Sequence, residues 1–302
     1  MFRWTRIAAA TMLCAGALAC HAQAQQQPTL AKIAQTGTIS LSYRESSVPF
    51  SYLNDAKPIG FSVEICDRIV DTLKARVKRP DLKIERMAVT SQNRIPLVVN
   101  GTVDLECGST TNNVARREQV EFAVNYFYTG TRLMAKKDSG IKSLTDLKGR
   151  KLATTTGTTN LQVLRKYMKD NNQDTELLTS KDHADGALLA ETGRADAYAM
   201  DDILLYGLVA NSKNPAEWAV VGEPLQVEPY AIMLRKNDPE FKKAVDDALI
   251  AMMKSGEFQK LYDKWFTQPI PPRNIALNVP MSAELKQNLK DFSDKPAAPA
   301  AP

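Results

Sequence analysis

Apolar and polar positions along the chain alternate in two different periods, and the switches between them outline the fold. Ile39, Leu41 and Tyr43 alternate with polar residues after Gly37, a period of two that predicts a strand running into Arg44. Phe61, Ile65, Ile69, Leu73 and Val77, backed by Cys66 and Val70, recur at helical spacing and mark one apolar face. A strand near Lys83–Met87, a helix from Arg94 to Asn100 and a strand over Val103–Cys107 complete a β-α-β-α-β run. That order predicts a mostly parallel sheet covered by helices.

A second unit of the same kind follows Thr129. Ser143 to Asp146 fits a capping pattern for a short helix ended by Gly149. Strands are expected over Lys151–Thr156, Glu176–Thr179 and Asp196–Met200, with helices over Thr158–Lys169 and His183–Thr192 between them. Trp218–Val221 and Pro229–Arg235 read as further strands. The stripes Phe241, Val245, Leu249, Met252 and then Phe258, Leu261, Tyr262, Trp265 predict helices that cover a core. The α/β chain therefore divides into two lobes, with residues 30–130 plus 231–290 in the first and 131–230 in the second. The chain would cross between them near 128–133 and 228–234, leaving a hinge and a ligand cleft. The Pro/Ala-rich end, 291–302, is expected to stay unfolded.

Residues 1–24 read as a secretory signal: Arg3 and Arg6 precede an apolar stretch from Ile7 to Cys20, and Ala22-Gln23-Ala24 offers a cleavage site. This implies export to the periplasm, with lipid tethering through Cys20 as the lesser alternative. No later segment approaches the run of about 18 apolar residues that a membrane span needs. Lys and Arg outnumber Asp and Glu by 39 to 34, a scattered excess that argues against nucleic acid as a partner. His21 and His183 are the only histidines, which disfavours a multi-His metal site; no metal and no cofactor are expected. Beyond the signal, Cys66 and Cys107 are expected as two separate buried thiols, with a disulfide as the alternative.

The candidate chemistry gathers at strand ends, where open α/β sheets bind ligands. Arg44 follows the first strand, and Ser91 and Arg94 begin a helix. Ser109 and Thr111 follow the Cys107 strand, with Arg116 just beyond. Thr158 and Thr159 open a helix whose backbone N–H groups are a ready anion site. Asp201 ends a strand and His183 starts a helix. Each has a bland reading as a surface charge or a helix cap, but cations, hydroxyls and a carboxylate meet where loops converge.

The runs Arg44-Glu-Ser-Ser-Val-Pro-Phe-Ser51, Thr90-Ser-Gln-Asn-Arg-Ile-Pro-Leu97 and Glu106-Cys-Gly-Ser-Thr-Thr-Asn-Asn113 resemble the glutamate/aspartate-binding periplasmic proteins of ABC transporters, family 3 solute-binding proteins. Gly157-Thr-Thr159, Lys181-Asp-His183, Met200-Asp-Asp202 and Lys264-Trp-Phe266 extend the likeness from about Leu30 to Pro280. The resemblance implies a type II periplasmic-binding fold, monomeric, closing on one acidic amino acid and delivering it to a membrane permease. It puts Arg44, Ser91, Arg94 and His183 around the ligand's side-chain carboxylate. Thr111, Arg116, Thr158 and Thr159 would hold the α-carboxylate, and Asp201 with Ser109 the α-ammonium. A doubly anionic zwitterion needs two cationic subsites and one anionic one, so the cavity is expected to carry three arginines against the single acid Asp201. The runner-up is a dehydratase-like enzyme on the same scaffold acting on a carboxylate, with Asp201 or His183 as general acid. A receptor's sensing domain is a third class.

Overall fold

The computed structural model describes residues 27–297, so the expected signal lies outside the described residues. The chain enters through α1 (Thr29–Thr36), stopped by Gly37 in the left-handed conformation, and runs into β1 (Thr38–Tyr43). Three short antiparallel strands, β2 (Ser46–Ser47), β3 (Ser51–Asn54) and β4 (Lys57–Ile59), lead to α2 (Phe61–Arg76). Then come β5 (Lys83–Ala88), α3 (Arg94–Val99), β6 (Leu105–Glu106), α4 (Val114–Arg117), β7 (Val120–Phe122) and β8 (Phe127–Thr129). The second lobe holds β9 (Thr131–Lys136), β10 (Lys151–Thr155), α5 (Thr159–Asp170), β11 (Glu176–Ser180), α6 (His183–Glu191), β12 (Ala197–Asp201), α7 (Asp202–Asn211) and β13 (Trp218–Val221). The return is β14 (Glu228–Tyr230) and β15 (Met233–Arg235), followed by α8 (Pro239–Ser255), α9 (Glu257–Tyr262) and α10 (Ala283–Asp291).

Each lobe is built on a five-stranded sheet of the same design. In β5-β1-β6-β15-β7 the first pairings are parallel and β15 is antiparallel to both neighbours. In β11-β10-β12-β9-β13 the antiparallel strand is β9. Between the sheets, β14 and β8 pair antiparallel as a two-stranded ribbon. The sequence pattern reads Pro229–Arg235 as one strand, but the chain changes partner in the middle. Glu228–Tyr230 joins the ribbon, and after the buried Ala231 and Ile232 the chain enters the first sheet. Helix α7 escapes a periodic reading because Ile203, Leu204, Leu205 and Leu208 are all buried and leave no polar face at regular intervals.

An aromatic cluster ties the ribbon to the first lobe. The Phe50 ring lies 4.9 Å from Phe127 and 5.2 Å from Tyr230, and Phe127 stacks on Phe266 at 5.0 Å. Across the lobes, α7 packs directly on the Val48 backbone: a Cβ on Gly207 would come 2.5 Å from Val48 O, so only glycine fits. Among the described residues no helix is long and apolar enough to cross a membrane.

Two expectations are corrected. Cys66 and Cys107 form a disulfide, not separate thiols; the core face of α2 lies over the end of β6 and brings the Cα atoms to 6.2 Å, inside the range that a bridge requires. A separation of 41 residues hid that proximity from the sequence. The Pro/Ala end does not leave the fold at residue 291. Asn125 N–H donates to Ser293 O at 3.0 Å, the Asn112 side chain to Asp294 O at 2.7 Å, and Ala297 N–H to Asn112 O at 2.8 Å. Asp294 also pairs with Lys242 at 2.9 Å. Composition alone does not register that buried asparagines elsewhere in the chain need these carbonyls as partners. Residues 298–302 lie outside the described residues.

Candidate functional site

The strand ends of both sheets face one another, and every residue singled out above is buried there. Arg44, at the end of β1, is anchored by its own N–H donating to Ser51 Oγ at 2.8 Å. Its Nη2 reaches the second lobe, 3.3 Å from Asp182 Oδ1 and 3.4 Å from His183 Nε2. Its Nε and Nη1 find no hydrogen-bond partner among the described residues. Arg94, the first residue of α3, donates through Nη1 to the Thr110 hydroxyl, while its Nε is likewise unpartnered. Burial and then the Arg116 charge push the Arg94 guanidinium down to about 9 against the pull of Glu106, with Arg44 adding a smaller push. The Arg44 and Arg116 guanidinium groups thus lie close enough to act on the charge of Arg94. The hydroxyls of Ser91 and Ser109 are buried beside them with no partner among the described residues.

His183 begins α6, its N–H held by the capping carboxylate of Asp182 at 2.6 Å. Its Nδ1 lies 3.2 Å from Thr155 Oγ1 and 3.4 Å from the Tyr198 hydroxyl. Burial and then Arg44 push the imidazole down to about 3, so the ring that faces Arg44 is neutral.

Helix α5 brings its first turn to the same group of side chains. Thr158 caps it, accepting Leu161 N–H at 3.3 Å and donating to Thr155 O at 2.7 Å. Gly157 before it has φ +78°, and a Cβ there would stand 2.8 Å from the Gln92 backbone, so the loop can meet the first lobe only as glycine. Arg116 on α4 donates through Nη1 to Thr111 O at 2.8 Å and through Nη2 to Gly157 O at 3.5 Å. Burial lowers Arg116, opposed first by Glu228 and then by Asp201.

Asp201, at the end of β12, accepts the Asn160 amide at 2.7 Å and the Tyr230 hydroxyl. Burial, then the charge of Glu228, push its carboxyl up to about 8. Thr111 and Thr159 lie close, their hydroxyl oxygens 3.4 Å apart, and both donate to Glu228 Oε2, at 2.5 and 2.6 Å.

The site therefore holds more carboxylates than the sequence reading allowed. Glu106 and Glu228 are buried beside Asp201, and Asp182 sits at the rim, so three arginines face three buried acids rather than one. In the Val103–Cys107 run Glu106 falls on the alternate, outward-looking face. A sheet covered on both sides has no outward face. Glu228 carries only the weak signal of an acid between Val227 and Pro229-Tyr230. Among the described residues no cluster could hold a metal ion.

The sequence pattern of the bacterial extracellular solute-binding proteins, family 3, matches residues 39–268. The chain belongs to that family. It is 49% identical over 271 residues to a Pseudomonas aeruginosa protein named L-glutamate/L-aspartate-binding protein, covering 89% of this chain and 90% of that one. It is 46% identical over 268 residues to an Escherichia coli glutamate/aspartate import solute-binding protein, covering 88% and 89%. Among solved structures it is similar to an ancestral amino acid-binding protein described as a precursor of cyclohexadienyl dehydratase. The TM-score there is 0.69 at 28% identity, with 79% of this chain and all of that one covered. Family and two-lobed fold are those the resemblance implied. As a member of this family the chain is a solute-binding protein, and the dehydratase-like reading is not favoured.

Proposed function

We propose that this protein captures glutamate or aspartate in the periplasm, closes its lobes over the ligand and presents it to the membrane permease of an ABC importer. The observation that carries the ligand class is the pair Arg44 and Arg94: Nε and Nη1 of the first and Nε of the second are buried and lack acceptors among the described residues. Leaving such donors unmet costs about 1–3 kcal/mol each, more for charged groups, and a carboxylate removes that cost. The names of the relatives support the same class. In this reading Arg44, Ser91, Arg94 and His183 surround the side-chain carboxylate. Thr111, Arg116 and the backbone at the head of α5 (Thr158, Thr159) take the α-carboxylate, and Asp201 with Ser109 the α-ammonium.

Residues 30–130 and 231–290 would move as one lobe and 131–230 as the other, with the β8–β14 ribbon as hinge. The protein would act as a monomer, and residues 1–24 would direct its export. Calorimetry on protein refolded from denaturant, which strips carried ligand, tests the reading with glutamate, aspartate and glutamine. Saturable binding of the acids with glutamine weaker by roughly 100-fold is expected, since an amide leaves a buried cation unpaired. Equal affinity for glutamine would overturn it.

A further inference from the structure

The placement of Glu228 changes what two of the site's hydroxyl groups can offer a ligand. It sits on β14 in the ribbon, with no exposed surface. Each hydrogen-bonding partner that its carboxylate has here is a donor. The Gln226 amide donates to Oε1, and the hydroxyls of Thr111 from the first lobe and Thr159 from the second donate to Oε2 at 2.5 and 2.6 Å. A threonine hydroxyl has one proton and two lone pairs. With both protons committed to Oε2, the 3.4 Å contact between the two oxygens has no proton left to form it, and what each oxygen can present elsewhere is a lone pair.

From this geometry we infer that Glu228 is a positioning residue: it turns Thr111 and Thr159 into acceptors, so that their oxygens join Asp201 in recognising the cationic amino group of the ligand. The inference rests on the amino-acid reading of the cleft and deepens it. The resemblance puts Thr111 and the backbone around Thr158 and Thr159 on the α-carboxylate; with both hydroxyl protons given to Glu228, that contact is left to backbone N–H groups and the hydroxyl oxygens are free to accept. Arg116, whose charge Glu228 offsets, and the N–H groups at the start of the twelve-residue α5 remain as donors for the α-carboxylate. The neighbourhood agrees. Burial and then the Glu228 charge raise the Asp201 carboxyl, a cost that a cation relieves, and the Ser109 hydroxyl, buried and unpartnered among the described residues, adds one more acceptor.

The test separates ammonium recognition from general damage by comparing glutamate with glutarate, which keeps both carboxylates and lacks the amino group. Binding is read by calorimetry and by thermal shift up to high millimolar ligand, so that weak glutarate binding is counted. In Glu228→Gln, and separately in Thr159→Val and Thr111→Val, glutamate affinity should fall about tenfold or more while glutarate changes by less than about twofold. The valine variants carry the same readout if the Gln variant folds poorly. Equal losses for the two ligands, as a purely structural role or donation to the α-carboxylate demands, would overturn the inference while leaving the amino-acid reading standing. Failure of the unmutated protein to bind glutamate or aspartate would instead remove that reading, and the inference with it.

Discussion

The two halves of the cleft are built on opposite principles. Around Arg44, Ser91 and Arg94, buried groups (Nε and Nη1 of Arg44, Nε of Arg94 and the Ser91 hydroxyl) have no partners among the described residues. Around Thr111, Thr159, Asp201 and Glu228, each side chain is satisfied by another: Tyr230 and Asn160 serve Asp201, and the two threonines serve Glu228. A satisfied network is rigid and presets its polarity, whereas an unsatisfied one is a debt that only a ligand can cancel. The first half therefore sets which side chain is taken, and the second recognises the backbone groups common to all amino acids.

Three measurements press on that contrast. The largest effect belongs to Arg94, whose buried Nε is an open donor. Arg94→Ala should weaken glutamate binding by roughly 2–5 kcal/mol, the range for removing one partner of a buried charge pair. Calorimetry returning near wild-type affinity would place the ligand's side chain elsewhere.

The second effect is proton linkage in the satisfied half. Asp201 is raised to about 8, so in the ligand-free fold its proton contributes stability below pH ~4, the ordinary carboxylate range, and that contribution is lost as pH rises through about 8. An arriving ammonium favours the carboxylate, so binding expels a proton, and affinity should climb with pH by up to about tenfold per unit until about pH 8. Titrations at one pH in phosphate and in Tris should give different heats, and Asp201→Asn should erase the difference. Identical heats for the unmutated protein would contradict the linkage.

The smallest effect is at His183. Because burial and Arg44 hold it neutral, with its pKa down at about 3, binding should show no inflection near pH 6.5, the ordinary histidine value. His183→Ala should weaken glutamate by about 1 kcal/mol, more than glutamine, by loosening Arg44. Equal losses for both ligands would detach His183 from the arginine half.

How far the sequence carried differs with the kind of interaction. Strand and helix positions such as Ile39–Tyr43 and Phe61–Arg76 were legible because burial of one face imposes a period of 2 or 3.6 on neighbouring residues. The three arginines were legible as strand-end or helix-start residues, and the short runs around them carried the family. Glu106 and Glu228 were not, since an acid in a strand looks the same whether its face meets water or a second layer. Nor was the disulfide, because contacts between residues far apart in sequence leave no local pattern.

What the chain order determined by itself is the alternation of elements, the two repeated units and the inventory of charged groups at their ends. Which of those charges meet, which hydroxyl gives its proton to which carboxylate, and that Cys66 finds Cys107 were decided only when the two sheets and the ribbon between them brought distant segments together. Hydrophobic periodicity is a local property, while protonation and pairing depend on the field of everything within a few ångströms, most of it far away along the chain.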